Sequence, residues 1–431
     1  METSYLIVCS ILLGCMAAYV PVFMCLFFTA VVSFLLFTDF PILVLVQTLF
    51  RSLDNFALVV VLFFILCGNI MTSGTIVEKL IKVANTLVSW LPGGLGMAGV
   101  IACGLFGAIS GSTVATVVAL GGFMIPALIE NGYDEKYTLG LMTTSPNLGV
   151  IIPPSIGMIL YCMISNVSLE GLFLTGFLPG MMIIFGVCIY TYFYYRKNTT
   201  LVRKPIPTLK DTIKVFKESF WSLMLPVIIF GGIFSGAFTA NEAAVVACVY
   251  AFIIELFVHK AIKFNDVKKI TVSSAVTSAT LLIIVSGATC FGRYLTLENI
   301  PGKITEAVLY SVTSPYIFLF AINILLLVVG MFMDIISATL ILGPVFLPML
   351  SAFNIDPMHF GLIMTVNLAI GYCTPPMGVS LYITGSIANR DIIYVTKAVI
   401  PFLLIQISVL FIITYLPNTF LWLPKMMGFL K

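Results

Sequence analysis

Long unbroken apolar stretches set the pattern of this chain. Segments free of Asp, Glu, Lys and Arg cover 3–38, 83–129, 137–169, 171–195, 270–292, 307–333, 357–389 and 398–424. A helix needs about 20 apolar residues to cross a hydrocarbon core of about 30 Å, so these stretches predict around ten to twelve full or partial crossings. Two of them contain material that suits a membrane helix poorly. NLGVIIPPSIG runs from Asn147 to Gly157, and NLAIGYCTPPMG from Asn367 to Gly378. Each proline lacks a backbone donor and crowds the preceding turn, at about 3 kcal/mol in a helix interior. Pro153, Pro154, Pro375 and Pro376 therefore mark helix breaks at membrane depth.

The breaks belong to a larger repetition. Pro153 and Pro375 are separated by the same interval as Pro126 and Pro348, and Gly140 and Gly361 by one residue less. LPGG at Leu91 corresponds to the Ser314-Pro315 break, and Pro21 to Asn241. Upstream of each break lies a second unusual run, Gly104 to Pro126 and Gly330 to Pro348, with small and hydroxyl residues amid apolar ones. Both runs predict re-entrant hairpins, with tips near Ser110–Thr113 and Asp334–Thr339. Irregular backbone at membrane depth survives only where protein or a polar cavity satisfies it, and hairpin tips facing broken helices would meet that condition together.

Charge orients the repeats. Basic residues cluster at Arg196–Lys217 and His259–Lys269, and Lys and Arg collect in cytoplasmic loops. Both loops are therefore expected inside, with Glu78–Lys82, Asn131–Lys136 and Arg390. Met1, Ser165–Glu170, Leu297–Lys303, Asn354–Pro357 and the C-terminus are then outside. Corresponding segments run in opposite directions, which predicts two inverted-topology repeats, 1–218 and 219–431. The first holds a hairpin at about 96–128 and a broken helix at about 138–164. The second holds a hairpin at about 316–351 and a broken helix at about 359–385, each half adding scaffold helices and an interfacial helix.

Composition supports this class. Of 431 residues, 60% are hydrophobic and 9% charged, against about 25% charged in soluble domains. The N-terminus lacks a basic n-region and a small-residue cleavage site, and reads as a retained span. The ten cysteines are scattered singly without CxxC spacing, a pattern of packing residues rather than disulfides or metal ligands. An intramembrane hydrolase using Ser110 or Ser112 would need a base. The two histidines, His259 in a cytoplasmic loop and His359 near the outer side, are badly placed for that role, so an enzyme is not expected. A channel suits half-depth hairpins from opposite sides less well than alternating access does.

Breaking a helix frees carbonyls that can ligate a hard cation such as sodium, and the following half-helix N-terminus attracts carboxylate. Asn147 and Gly149, and Asn367 and Thr374, add polar atoms at the two breaks. The alternative is that each Pro-Pro pair only kinks a packed helix. Asp334 is the one acidic residue between Glu306 and Asp356. An intramembrane carboxylate is costly enough to suggest function; ligand and helix cap are both open to it. Arg293 has two readings, snorkelling to the outer surface or pairing with a substrate carboxylate. Glu242 reads as a helix-start residue and Glu255 as interfacial.

SGSTVATVVALGGFMIPALIENGYDEKYTLGL followed by NLGVIIPPSIGMILY, with GMFMDIISATLILGPVFLP and NLAIGYCTPPMG, resembles the large membrane subunit (DctM/SiaM type) of tripartite ATP-independent periplasmic (TRAP) transporters. The resemblance covers essentially the whole chain. It implies an all-α polytopic protein of the ion-transporter superfamily in the bacterial inner membrane. A transport domain of hairpins and broken helices would move as an elevator against a scaffold. It implies sodium-coupled uptake of an organic acid, a C4-dicarboxylate or a sugar acid such as sialic acid. Partners would be a small four-helix membrane subunit and a periplasmic substrate-binding protein. Carried onto matching positions, one sodium site would involve Ser110, Ser112, Thr113, Asn147 and Gly149. The other would involve Asp334, Ser337, Thr339, Asn367 and Thr374, with substrate at Arg293, Ser110 and Asp334. A stand-alone sodium/carboxylate transporter of the same superfamily is the alternative.

Overall fold

In the computed structural model, which describes residues 2–18, 20–197 and 205–430, the apolar stretches become helices, and no strand occurs among the described residues. Met1, Lys431 and the 198–204 part of the basic loop lie outside them. The chain opens with α1 (Glu2–Ala17), α2 (Val22–Phe37) and α3 (Leu43–Leu53), which meets α4 (Ala57–Ser73) at a 52° bend. A short helix, α5 (Ile76–Val88), buries one face through Leu80, Ile81 and Ala84. The first hairpin descends through α6 (Gly94–Ser110) and returns through α7 (Thr113–Thr116), a π turn at Val117–Gly121 and α8 (Gly122–Glu130). Gly111 forms its tip at φ 61°, a conformation that favours a residue without Cβ.

The first broken helix comprises α9 (Glu135–Thr144), a 3-10 turn at Ser145–Asn147 and α10 (Leu148–Ile151), and resumes after the prolines as α11 (Ile156–Ser165). α12 (Leu169–Tyr195) and α13 (Leu209–Glu218) lead into the second half. There α14 (Phe220–Phe234), α15 (Ala240–Ile253, extended by a π turn at Ile254–Val258), α16 (Phe264–Leu297) and α17 (Ile300–Ser311) follow. The second hairpin is α18 (Pro315–Phe332) with α19 (Ile335–Ala352). The second broken helix is α20 (Pro357–Gly371) with α21 (Val379–Ala388), and α22 (Ile392–Tyr415) and α23 (Pro417–Met426) complete the chain. Both Pro-Pro bonds are cis. The architecture is thus two inverted repeats, each with a re-entrant hairpin and a broken helix. Among the described residues, eight helices are long and apolar enough to cross a membrane, or nine with the bent α3–α4 pair. Shorter apolar helices include α6, α20 and α21.

Packing divides the helices by neighbour. α16 lies against α2, α3 and α4, and α15 against α4. The hairpins and broken helices form another cluster in which α9 packs on α22, α18 on α20, and α11 on α19. The two meet where α5 packs on α6 and where α16 and α17 pack on α19. An ion pair reinforces the second cluster, where Glu135 takes Nε and Nη2 of Arg390 at 2.7 and 2.9 Å.

Glu242 starts its helix as expected, in a capping box with Thr239. Glu255 lies at the end of its helix, as expected, but its side chain does not face the surface. Its side chain is fully buried and accepts from the backbone N–H groups of Thr75 (2.9 Å) and Ile76 (2.7 Å), at the start of α5. Gly74 makes room for it, since a Cβ there would stand 2.1 Å from the Glu255 carboxyl carbon. The side chain of His259 is also buried rather than in an open loop, 3.4 Å from Glu255 and 3.1 Å from the Thr75 hydroxyl. Position along the chain placed both residues at a helix end; only the approach of α4 and α5 buries them. Glu255→Ala is expected to destabilise the protein by about 3 kcal/mol, because two buried donors lose their acceptor. Glu255→Gln, which keeps an acceptor, should lose less in thermal unfolding of the detergent-purified protein.

Candidate ion and substrate site

Each hairpin meets its broken helix through glycine on glycine. A Cβ on Gly107 of α6 would lie 2.4 Å from the Gly149 Cα in α10; a Cβ on Gly371 of α20 would lie 2.5 Å from the Gly330 Cα in α18. Backbones this close bring hairpin tips to helix breaks. Ile156, at the start of α11, donates its N–H to the Gly111 carbonyl at the first tip (3.4 Å). At the second tip, Ile335 donates its N–H to the Tyr372 hydroxyl beside the second break (3.1 Å). The two units also touch, as the Ile335 side chain packs against Gly157.

Half-helix N-termini converge on these junctions, capped by Ser112 on α7, Ser155 on α11 and Asp334 on α19. Asp334 receives the Ser337 N–H at 2.9 Å, so the capping reading of this residue is realised in the structure. Such termini present N–H groups and a positive dipole end to anions.

In the first unit, Ser110 and Thr116 share a 3.2 Å hydroxyl contact, and Thr116 donates to the Ser112 carbonyl at 2.7 Å. Gly149 lies against that same carbonyl and hydroxyl. The hydroxyls of Thr113 and Ser145 are buried without a hydrogen-bond partner. The Asn147 amide is held from the other repeat: its Nδ2 donates to Gln406 Oε1 at 2.9 Å and approaches Cys373 Sγ at 3.4 Å. Gln406 in turn donates to the Thr144 carbonyl (2.9 Å), and Cys373 to that of Thr143 (3.2 Å).

The second unit repeats the chemistry with different anchors. Asn367 is fully buried and donates to Asn323 through its carbonyl (3.0 Å) and Oδ1 (2.8 Å), and Asn323 donates to Thr414 (2.9 Å). The Ser337 hydroxyl and Asn367 Oδ1 are buried and unpartnered. Thr339 is buried, and Thr374 donates back to Ile370 at 2.9 Å. Buried oxygens of this kind incur desolvation unless matched, and neutral oxygens suit a hard alkali cation. No group of three His, Cys, Asp or Glu with metal-binding geometry occurs among the described residues.

Of the expected residues, Ser110, Ser112 and Gly149 meet around Thr116, and Asp334 caps Ser337. Asn147, Asn367 and Thr374 bond instead to Gln406, Asn323 and the Ile370 carbonyl, and Arg293 lies away from both units. That side chain stands apart, exposed in a cavity lined also by Arg51. Ser145, Gln406, Asn323, Tyr372 and Gly107 were not anticipated. Gly107 and Gly330, like Gly149 and Gly371, recur at nearly the repeat interval, and Gln406 is the one glutamine in the uncharged stretch 398–424; both signals were readable. Both histidines are engaged elsewhere, His359 through a 2.8 Å contact with the Ile413 carbonyl.

Paired re-entrant hairpins and broken helices within inverted repeats define a multi-pass membrane protein of one particular architecture. Residues 9–419 match the tripartite ATP-independent periplasmic transporter DctM component, and the chain belongs to that family as a large permease subunit. It is 37% identical to the C4-dicarboxylate TRAP transporter large permease protein DctM of Rhodobacter capsulatus, covering 99% of this chain and all of that one. It is 34% identical to the sialic acid TRAP transporter large permease protein SiaM of Vibrio cholerae, covering 96% and 97%. In fold it is similar to the crystal structure of the Alcanivorax borkumensis YdaH transporter, with TM-score 0.65, 15% identity, and coverage of 90% and 91%.

Proposed function

We propose that this permease takes up an organic acid by sodium symport, with one sodium held in each hairpin-break unit. The observation that carries the reading is the pair of units themselves. Each combines a broken backbone with buried unpartnered oxygens, Thr113 and Ser145 in one, Ser337 and Asn367 in the other. Ser110, Ser112, Asn147 and Gly149 complete the first ligand set, and Asp334, Thr339 and Thr374 the second. The substrate carboxylate, from a C4-dicarboxylate or a sugar acid, faces the converging half-helix N-termini, with Ser110 and Asp334 nearby and Arg293 along its path.

The repeats divide at 1–218 and 219–431, and the hairpin cluster moves as an elevator against the α2–α4 and α15–α16 scaffold. The basic loops face the cytoplasm and the N-terminus the periplasm of the inner membrane. A four-helix membrane subunit and a periplasmic binding protein complete the system, as the family name implies a three-part assembly. Reconstituted with those partners in proteoliposomes, the protein should accumulate acid only under an inward sodium gradient. Equal uptake from sodium-free, proton-driven vesicles would overturn the sodium reading, and uptake without binding protein would overturn that partnership.

A further inference from the structure

Arg51 and Arg293 come from distant parts of the chain, yet they line one cavity of about 320 Å³. One wall is scaffold: Thr48 and Arg51 on α3, Asn55 after it, and Thr289, Arg293 and Thr296 on α16. The opposite wall is Ile164 at the end of α11 and Leu340 and Pro344 on α19. Both guanidinium-bearing residues are exposed, and neither makes an ion pair or hydrogen bond among the described residues, although Asp54 follows Arg51 by three positions. Leu340 lies six residues beyond Asp334, about 9 Å along the α19 axis at 1.5 Å per residue. The cavity therefore borders the second hairpin about two turns from its tip.

A guanidinium presents a planar fork matched to one carboxylate. Two unpaired forks in one cavity match an anion with two carboxylates better than a sugar acid with one. We propose that this cavity is an anion-capture site, where Arg51 and Arg293 each take one carboxylate of a two-headed acid before it reaches the hairpin tips. The proposal rests on the transport reading and narrows its substrate class. It also gives Arg293 a partner in the task. In the proposed orientation the cavity lies toward the periplasmic side, where a binding protein would release its cargo.

The test is binding, separate from transport. Purified permease is titrated calorimetrically with succinate and butyrate, and with glutarate and valerate, pairs of equal carbon number differing by one carboxylate. The wild type should bind the two-headed acid about tenfold tighter, the scale of one charge-assisted contact. Arg51→Gln and Arg293→Gln should each bring that ratio close to one, and Arg51→Lys, which keeps charge without the fork, should fall between. Arg51 is exposed, so these variants should purify and unfold like the wild type. A wild-type ratio near one, or a ratio unchanged by Arg51→Gln, overturns the proposal. Arg51-dependent retention of phosphatidylglycerol in nanodiscs with no change in the acid ratio also overturns it, by assigning the forks to lipid phosphate. Failure of the sodium reading would look different: the binding ratio would persist in protein that moves no acid under a sodium gradient.

Discussion

Gly107→Ala is expected to reduce transport at least about a hundredfold while the protein still inserts in the membrane. The new methyl group would meet the Gly149 Cα at 2.4 Å and its amide nitrogen at 2.7 Å. Neither is the tip of a flexible side chain, so relief requires the two helices to part by about 1 Å, enough to cost about 10²-fold where a site depends on alignment. The hairpin tip would then leave Gly149 and the Asn147 turn, separating the first set of oxygens. Overpacking also destabilises, by about 1–3 kcal/mol, so thermal unfolding should be measured beside uptake. Gly371→Ala tests the second unit in the same way, with a contact of 2.5 Å to the Gly330 Cα. Gly231→Ala, where nothing lies within 4 Å, serves as control and should be silent. Sodium-driven uptake close to wild type in both contact variants would show that the close approach does not build the sites.

Asp334→Ala should abolish uptake, and the asparagine variant tells why. As a cap, Asp334 accepts one backbone N–H from Ser337, and removing a cap costs about 1 kcal/mol. That loss alone would leave a folded, transporting protein. Asp334→Asn keeps the shape and an acceptor while removing the charge. Loss of transport in this variant with unfolding near wild type assigns a role to the charge itself, beside sodium or in ordering the second tip. Normal uptake with unchanged sodium dependence would make Asp334 a cap and nothing more.

The prolines and the repetition were open to reading from the residues because they carry local consequences. A proline lacks a donor wherever it stands, and a recurrent interval needs no knowledge of contacts. Asn147 and Asn367 were picked out by the same logic, as amides in uncharged stretches. Their anchoring was another matter. Asn147 is held by Gln406 and Cys373, and Asn367 by Asn323, so symmetry-related residues have partners that symmetry does not relate. Sequence spacing cannot supply that, since each bond joins helices that adjoin only after the repeats have packed.

Hydrophobicity, helix-breaking chemistry and charge placement by themselves determined that this chain is a polytopic helical protein with two repeats, two hairpins and two breaks. Those properties belong to single residues and short segments in contact with lipid or water. Tertiary structure decided which groups are buried together and which are left unpaired. It placed Glu255 under the start of α5, set Gly107 on Gly149, and brought Arg51 to the cavity of Arg293. Each of these depends on the distance between segments far apart in the chain. That distance is set by the packing of many side chains at once, and no local pattern encodes it.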